Sequence, residues 1–224
     1  MIDIVEFEKL VQLDAPSGAR PLITFMVKRS IIEFCEKSWI LFKDFSMTLD
    51  AADINTSFHN SVDIDLSEYV TDLRPVAVLR LYIDGIEWQC EYVDLAQDTE
   101  ITAYETVFST TDSKQITFVN DYTLRIYKVD AAASEIYLRM SFKPLMSNTE
   151  VDDILYEDWV EPIIAGAKAR ILALPGRDWT DPQTAAMNYR FFRMGISEAK
   201  RRLQKNFADQ EHRAEWQIFG GVEE

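Results

Sequence analysis

Residues 155–207 read LYEDWVEPIIAGAKARILALPGRDWTDPQTAAMNYRFFRMGISEAKRRLQKNF, and this segment sets the architecture of the chain. Apolar residues recur every three or four positions in both halves, which predicts two amphipathic helices. The repeating positions are Leu155, Trp159, Ile163, Ala167, Ile171 and Leu174, then Ala185, Tyr189, Phe192, Ile196, Ala199, Leu203 and Phe207. Pro175-Gly176 ends the first helix, and Asp181-Pro182 begins the second with an acidic N-cap and a proline at the first helical position. Pro162 should kink the first helix unless its regular part begins near that residue.

Helical spacing also covers residues 17–39, where Ile23, Val27, Ile31 and Phe34 form one row. Ser17 or Ala19 opens this helix, and Pro21 then falls in its first turn, where a missing N–H costs least. A helix cannot bury its own apolar row. We therefore expect this N-terminal helix to pack on the C-terminal helix pair.

The sequence between the helices changes to the short, aromatic and β-branched runs of strands. We predict strands at 39–49, 62–66, 76–83, 86–93, 115–119, 123–128 and 135–142. Asp84-Gly85 predicts a two-residue type I′ hairpin turn, because this turn needs positive φ at both positions. Residues 94–115 fit either a helix or a strand.

The predicted fold class is therefore α+β: a helical bundle with an inserted antiparallel β-module and an extended C-terminal arm. The predicted boundaries are 1–38 and 150–209 for the bundle, 39–149 for the β-module and 210–224 for the arm. Trp216, Ile218 and Phe219 lie in this arm, after the periodic pattern ends. Such a terminal apolar cluster either folds back on its own domain or docks on a partner.

The charge excludes several classes of protein. The chain of 224 residues has 23 Lys+Arg against 38 Asp+Glu, a net charge of −15, which disfavours tight wrapping of nucleic acid. No apolar run approaches the roughly 18 residues of a membrane span, and the acidic start lacks the basic region of a secretory signal. We expect a protein kept in solution, with Cys35 and Cys90 as buried thiols in a reducing compartment.

No residue pattern typical of a catalytic, cofactor or metal site is visible. Cys35, His59, Cys90 and His212 lack the spacing of zinc ligands, and both histidines are expected at the surface. The sequence contains no nucleophile elbow and no glycine-rich phosphate loop. We therefore expect no enzyme activity, no cofactor and no metal.

The strongest argument for an enzyme is an acidic run at residues 152–161. Asp153, Glu157 and Glu161 would share one face of a continuous helix, and carboxylates in that arrangement can hold Mg²⁺ in a metal-dependent hydrolase. Acids in the first turns of a helix also stabilise it through its dipole, and this structural interpretation is favoured.

Two stretches resemble a known family. RPLITFMVKRSIIEFCEKSWI (20–40) and the segment from 156 to 203 are similar to the head-to-tail adaptor proteins of tailed bacteriophages, also called connector or tail-tubular proteins. The residues that match the motifs of this family are Glu33, Phe34 and Cys35, then Trp159, Ile163, Gly166, Ala167, Pro175, Gly176 and Trp179.

The resemblance implies a structural virion protein of the neck, made in the host cytoplasm. Its copies would form a homo-oligomeric ring, commonly of twelve, that joins the portal protein to the tail or nozzle protein and continues the DNA channel. DNA would pass through without sequence-specific binding, and no membrane would be involved. Trp216, Ile218 and Phe219 would anchor the arm in the portal, and the β-module would face the tail. Residues expected to pack the bundle are Phe34, Trp159, Ile163, Gly166, Ala167, Trp179, Tyr189, Phe192 and Ile196. Another phage tail or baseplate interaction module is the alternative within the same class.

Overall fold

A computed structural model describes residues 1–15, 18–50, 52–55, 60–92, 114–130 and 135–219, with side chains at all of these except 91–92 and 206–219. The chain is a mixed α+β protein, which confirms the predicted class. The helices in these ranges are α1 (Ile4–Gln12), α2 (Arg20–Ser38), α3 (Ile154–Glu157), α4 (Val160–Leu172) and α5 (Pro182–Phe219). The strands are β1 (Ile2–Asp3), β2 (Phe42–Thr48), β3 (Val62–Asp65), β4 (Leu73–Ile83), β5 (Ile86–Trp88), β6 (Cys90–Tyr92), β7 (Lys114–Phe118), β8 (Thr123–Ile126), β9 (Glu135–Pro144) and β10 (Glu150–Val151).

The chain divides into two compact units. Residues 1–40 and 144–224 form the first, which holds all the helices given above and is called the helical unit. Residues 41–143 form the second, which holds β2 to β8 and nearly all of β9 and is called the β unit. Both ends of the chain therefore belong to one unit, and the other is inserted between them.

The sequence reading missed the N-terminal helix α1. The Asp3 side chain accepts a hydrogen bond from the Val5 backbone N–H at 2.9 Å and so caps this helix. Phe7 and Val11 are fully buried on its inner face, and Phe7 packs edge-on against Tyr156 with ring centroids 5.2 Å apart. β1 precedes α1 and pairs antiparallel with β10. The helical unit is thus larger than the expected three helices.

Helix α2 begins and ends close to the predicted positions. Ala19 is its N-cap, Pro21 lies in its first turn, and Trp39 ends it in the left-handed conformation at φ 61°. The predicted row of Ile23, Val27, Ile31 and Phe34 is buried. α2 packs against α1, α4 and α5, so the expected contact between the N-terminal helix and the C-terminal pair is present.

The first helix of the C-terminal pair is not continuous from 155 to 174, and its regular part begins near Pro162, as one of the two alternatives for that residue predicts. The short α3 ends at Glu157, and α4 begins at Val160. Pro162 is therefore the third residue of α4, in the first turn, where no backbone N–H is needed for an intrahelical bond. Because α4 begins at Val160, the Pro162 ring avoids the clash with the carbonyl group of the preceding turn that it would cause inside a helix.

Helix α5 begins as predicted but is longer than predicted. The Asp181 carboxylate accepts hydrogen bonds from the backbone N–H groups of Gln183 and Thr184 at 3.1 and 3.0 Å, and Pro182 follows it. The helix continues to Phe219, so an extended arm from residue 210 is wrong for residues 210–219. Residues 208–219 contain neither Gly nor Pro, and Gly220-Gly221 supplies the first strong helix-breaking signal.

The β unit contains two four-stranded sheets. Their strand orders are β2-β9-β4-β5 and β3-β8-β7-β6. The hairpin between β4 and β5 has Asp84 at φ 51° and Gly85 at φ 78°, as the type I′ prediction requires. β6 runs parallel to β7, so the second sheet is mixed at this pair, whereas the antiparallel prediction holds for β2 with β9, β3 with β8, β4 with β5 and β7 with β8. A parallel pair needs a long connection, and residues 94–113 of the ambiguous segment lie outside the described residues.

Alternating side chains of both sheets supply the core of the β unit. In β9, Ile136, Leu138, Met140 and Phe142 are fully buried, which confirms the face predicted from their period of two. Two in-register pairs on the outer surface join neighbouring strands. The guanidinium of Arg139 donates to both carboxylate oxygens of Asp44 at 2.6 and 2.8 Å, and Arg125 does the same to Asp63 at the same distances.

Candidate interaction surfaces

The helices of the two resembling stretches meet in one aromatic core. The ring of Phe34 on α2 lies 5.6 Å from that of Trp159, next to α4, and 6.2 Å from that of Phe192 on α5. Phe34 and Phe192 are fully buried, and Trp159 is 6% exposed. Three other residues from the predicted packing set, Ile163, Ala167 and Ile196, are also buried.

Gly166 belongs to this core because it lacks a side chain. A Cβ atom at Gly166 would lie 2.7 Å from Cδ2 of Phe192, well inside van der Waals contact. The absence of a side chain therefore lets α5 approach α4 closely at this position.

Two residues from the predicted packing set depart from the buried row. Tyr189 is 44% exposed, so its place in the core row of α5 is wrong. The spacing of four between Ala185 and Tyr189 rotates Tyr189 about 40° past the row, since each residue turns the helix by about 100°. Trp179 is half-buried in the turn between α4 and α5.

A charged network ties α2 to α4 beside this core. The Arg170 guanidinium donates to Ser30 Oγ at 2.8 Å and to the Gly166 carbonyl oxygen at 2.7 Å, and it pairs with the Glu33 carboxylate. Partial burial opposes ionisation of Glu33. The hydrogen bond from Lys37 and the charge of Arg170 outweigh it, so the pKa of Glu33 is lowered. Glu33, one of the residues that match the motifs of the phage family, is therefore paired with Arg170 across two helices.

Both cysteines are free thiols in the structure. Cys35 on α2 is fully buried, and burial raises its pKa strongly. Cys90 on β6 is partly buried, and burial raises its pKa to about 11. The predicted burial therefore holds fully for Cys35 and partly for Cys90.

The acidic run does not form the helical face that the hydrolase alternative needs. Glu157 ends α3 and Glu161 lies in the first turn of α4, on the other side of the break. Asp153 pairs with the Met1 amino group at 2.8 Å, and Asp158 pairs with Arg202 at 2.7 Å. Within the part of the chain that the structure describes, no three His, Cys, Asp or Glu side chains are grouped to hold a metal ion.

The β unit has an open cavity of about 410 Å³ at one edge of its second sheet. Asp53, Asp63 and Asp65 line it together with Tyr69. The carboxylate of each already accepts a hydrogen bond within the chain, for example Asp63 from Arg125 and Asp65 from the Ser67 backbone N–H. These carboxylates therefore stabilise the local structure through hydrogen bonds within the chain.

Among the described side chains of the helical unit, the largest group of exposed apolar residues on one element lies on the outer face of α5. Met187, Phe191 and Met194 are 64%, 46% and 66% exposed, and their spacing of four and three residues places them on one face. Sequence reasoning missed this second row because it followed only the row facing the core. The i, i+4, i+7 spacing was the signal that could have found it.

This outer face is also basic in an acidic protein. Residues 182–205 hold six basic residues and one acidic residue, whereas the β unit holds 18 acidic and eight basic residues. Arg190 is exposed beside the apolar row, three residues after Met187 and four before Met194. Arg193 is exposed one turn beyond Arg190, on the flank of the helix. This arrangement suits a partner protein whose surface is both apolar and negatively charged.

The three predicted arm anchors lie at the end of α5. The backbone of Trp216, Ile218 and Phe219 is helical, and their side chains fall outside the described part of the chain. His212 lies in the same helical segment, and His59 lies outside the described residues. None of the described helices is both long enough and apolar enough to cross a membrane.

No protein-family model matches the sequence, and no curated protein matches it.

Proposed function

We propose that this protein is a head-to-tail adaptor of a tailed bacteriophage: a structural virion protein that forms a ring between the portal and the tail. The observation that carries the proposal is the packing of the two resembling stretches. Phe34 from the first stretch contacts Trp159 from the second, and Glu33 pairs with Arg170. The matching residues thus form one helical unit rather than two unrelated segments.

The insertion supports the same role. Both ends of the chain build the helical unit, and residues 41–143 build a separate β unit. In the proposed ring, the helical unit contacts neighbouring copies, the end of α5 enters the portal, and the β unit faces the tail or nozzle. Two kinds of surface on one chain allow a subunit to bind different partners along the neck.

Charge supports a channel through which DNA slides. The chain has a net charge of −15, and 18 of its acidic residues lie in the β unit against eight basic ones. Acidic walls repel phosphates and would keep the DNA mobile. In this proposal the protein acts by position and electrostatics and performs no chemical step.

Electron microscopy of negatively stained protein, alone and mixed with the portal protein, tests the proposal. We expect rings, or ring-shaped additions to the portal, with a central channel. A protein that stays monomeric in both samples would argue against the adaptor. Labelling of intact virions separates the adaptor from a baseplate module, because only the adaptor lies at the neck.

A further inference from the structure

We infer that copies of this chain bind head to tail, with the outer face of α5 in one copy against the acidic surface around β10 and α3 of the next. The inference rests on the proposed function and names the surfaces that would meet in its ring. The outer face of α5 is defined by Met187, Phe191, Met194, Arg190 and Arg193. The acidic surface is formed by residues 150–161 together with Asp3, which lies opposite Glu150 in the pair of β1 and β10.

The two surfaces are complementary in charge. Residues 150–161 hold six acidic residues and no basic one, and residues 182–205 hold six basic residues and one acidic one. Glu150, Asp152, Glu157 and Glu161 are exposed. Opposite potentials on two surfaces of the same chain favour association of copies and fix their orientation.

The register of β1 and β10 places two like charges together on the acidic surface. Asp3 lies directly opposite Glu150 in the antiparallel pair, and like charges in that position repel. The Met1 amino group, which pairs with Asp153 and interacts with Glu150, offsets part of this repulsion, and cations brought by a neighbouring copy would reduce it further. Arg190 is an exposed cation beside the apolar row of α5.

The outer face of α5 also exposes apolar side chains. Met187 and Met194 on α5 are each more than 60% exposed. A DNA backbone would pair with the arginines but would leave these methionines and Phe191 in water. A protein partner buries both kinds of side chain, which favours a second copy as the occupant.

The two surfaces are formed by different elements: the acidic one by β10, α3 and the start of α4, and the basic one by the outer face of α5. A contact between two different surfaces is heterologous. Each copy can then bind two neighbours, and repetition closes into a ring when the rotation between copies permits.

Charge reversal tests the inference on the full-length protein. We expect Arg190→Glu with Arg193→Glu, and separately Glu150→Lys with Glu157→Lys, to raise the concentration needed for self-association at least tenfold in sedimentation velocity. Glu150→Lys places opposite charges across β1 and β10, so folding should be kept. Arg29→Glu with Lys43→Glu changes the charge by the same amount as the first pair at other exposed positions and should leave assembly unchanged.

Mixing the two reversed proteins gives the sharper result. Each retains one native surface, and their two altered surfaces are again opposite in charge, so the mixture should form species larger than a dimer. A mixture that stops at dimers would show that α5 pairs with itself. Reversed proteins that assemble like the wild type would also overturn the inference, as would variants that alter binding of double-stranded DNA but not oligomer size.

These outcomes are separate from the test of the adaptor itself. If the wild type forms rings on the portal and the reversed proteins do so equally well, only the assigned surfaces are wrong. If the wild type neither self-associates nor joins the portal, both the surfaces and the adaptor function are wrong.

Discussion

A Cβ atom placed on Gly195 of α5 would lie 2.3 Å from Cβ of Pro162 in the first turn of α4. Real Cβ atoms do not approach this closely, so the contact exists only because residue 195 is glycine. It lies in the same interface as the contact between Gly166 and Phe192. Two glycines, one on each helix, therefore set the separation of α4 and α5.

Gly195→Ala should destabilise the protein by about 1–3 kcal/mol, since overpacking a filled interface shifts backbone or forces side chains off their rotamers. The sign of the change in unfolding free energy is informative, because Gly→Ala at a solvent-exposed position inside a helix stabilises the protein by roughly 0.5–1 kcal/mol. Urea unfolding at pH 7 measures the free energy. Ser197→Ala, at an exposed position two residues along the same helix, is the control and should change it little. A stabilised Gly195→Ala protein would mean that the helices are further apart.

The contact between Gly195 and Pro162 also shows which parts of the fold could be predicted from the sequence. Periodicity found α2 and both C-terminal helices, because one apolar row facing a core leaves a repeat of 3.6 residues. Periodicity alone continued the row from Leu155 across the break between α3 and α4, whereas Pro162 indicated that a regular helix begins near it. That break lets Pro162 pack against Gly195, and a long-range contact leaves no local pattern.

Arg170→Met should destabilise the protein by about 1–3 kcal/mol, because it leaves the buried Ser30 hydroxyl and the half-buried Glu33 carboxylate without a partner from α4. Thermal and urea unfolding measure the loss. The matched control is Arg201→Met, because the Arg201 guanidinium bonds the neighbouring Glu198 at the surface, a pair that should contribute under about 0.5 kcal/mol. Equal effects of the two changes would contradict a structural role for Arg170.

The pair between Asp44 and Arg139 predicts a loss of stability in acid. Hydrogen bonds from Arg139 lower the pKa of Asp44 below its ordinary 3.8, against the opposing effect of partial burial. A lowered pKa in the folded state means that the contribution is complete above pH 3.8 and is lost as the pH falls further. Asp44→Asn should cost about 0.5–1 kcal/mol at pH 7, because the pair is partly exposed.

The measurement for Asp44 is urea unfolding between pH 7 and pH 2. The difference between wild type and Asp44→Asn should shrink below pH 3.8, since protonation removes the charge from the wild type as well. Glu68→Gln, at an exposed position of the same β unit, should stay parallel to the wild type. A difference that persists unchanged at pH 2 would assign the effect of Asp44→Asn to packing instead.

The surfaces were harder to predict than the core. Trp159, Ile163 and Phe192 were assigned to packing from their spacing, and the structure buries all three. The exposed row of Met187, Phe191 and Met194 has the same kind of spacing, but a second row on one helix gains meaning only after the first is known to face the core. Arg170 carries no sequence pattern at all, because its partners Ser30 and Glu33 lie about 140 residues away.

Deleting residues 210–224 tests the role of the end of α5. Residues 210–219 are helical, so helix content should fall by the contribution of these ten residues, while α4 keeps its packing with the earlier part of α5, at Phe192 and Gly195. Under the proposed function the truncated protein should lose association with the portal in pull-down assays while its unfolding midpoint stays close to that of the full chain. Replacing Trp216, Ile218 and Phe219 with Ala should keep the helix and give the same loss, because in the proposed function these residues are the apolar anchor. A truncated protein that unfolds at a much lower urea concentration would show instead that the segment belongs to the core of the helical unit.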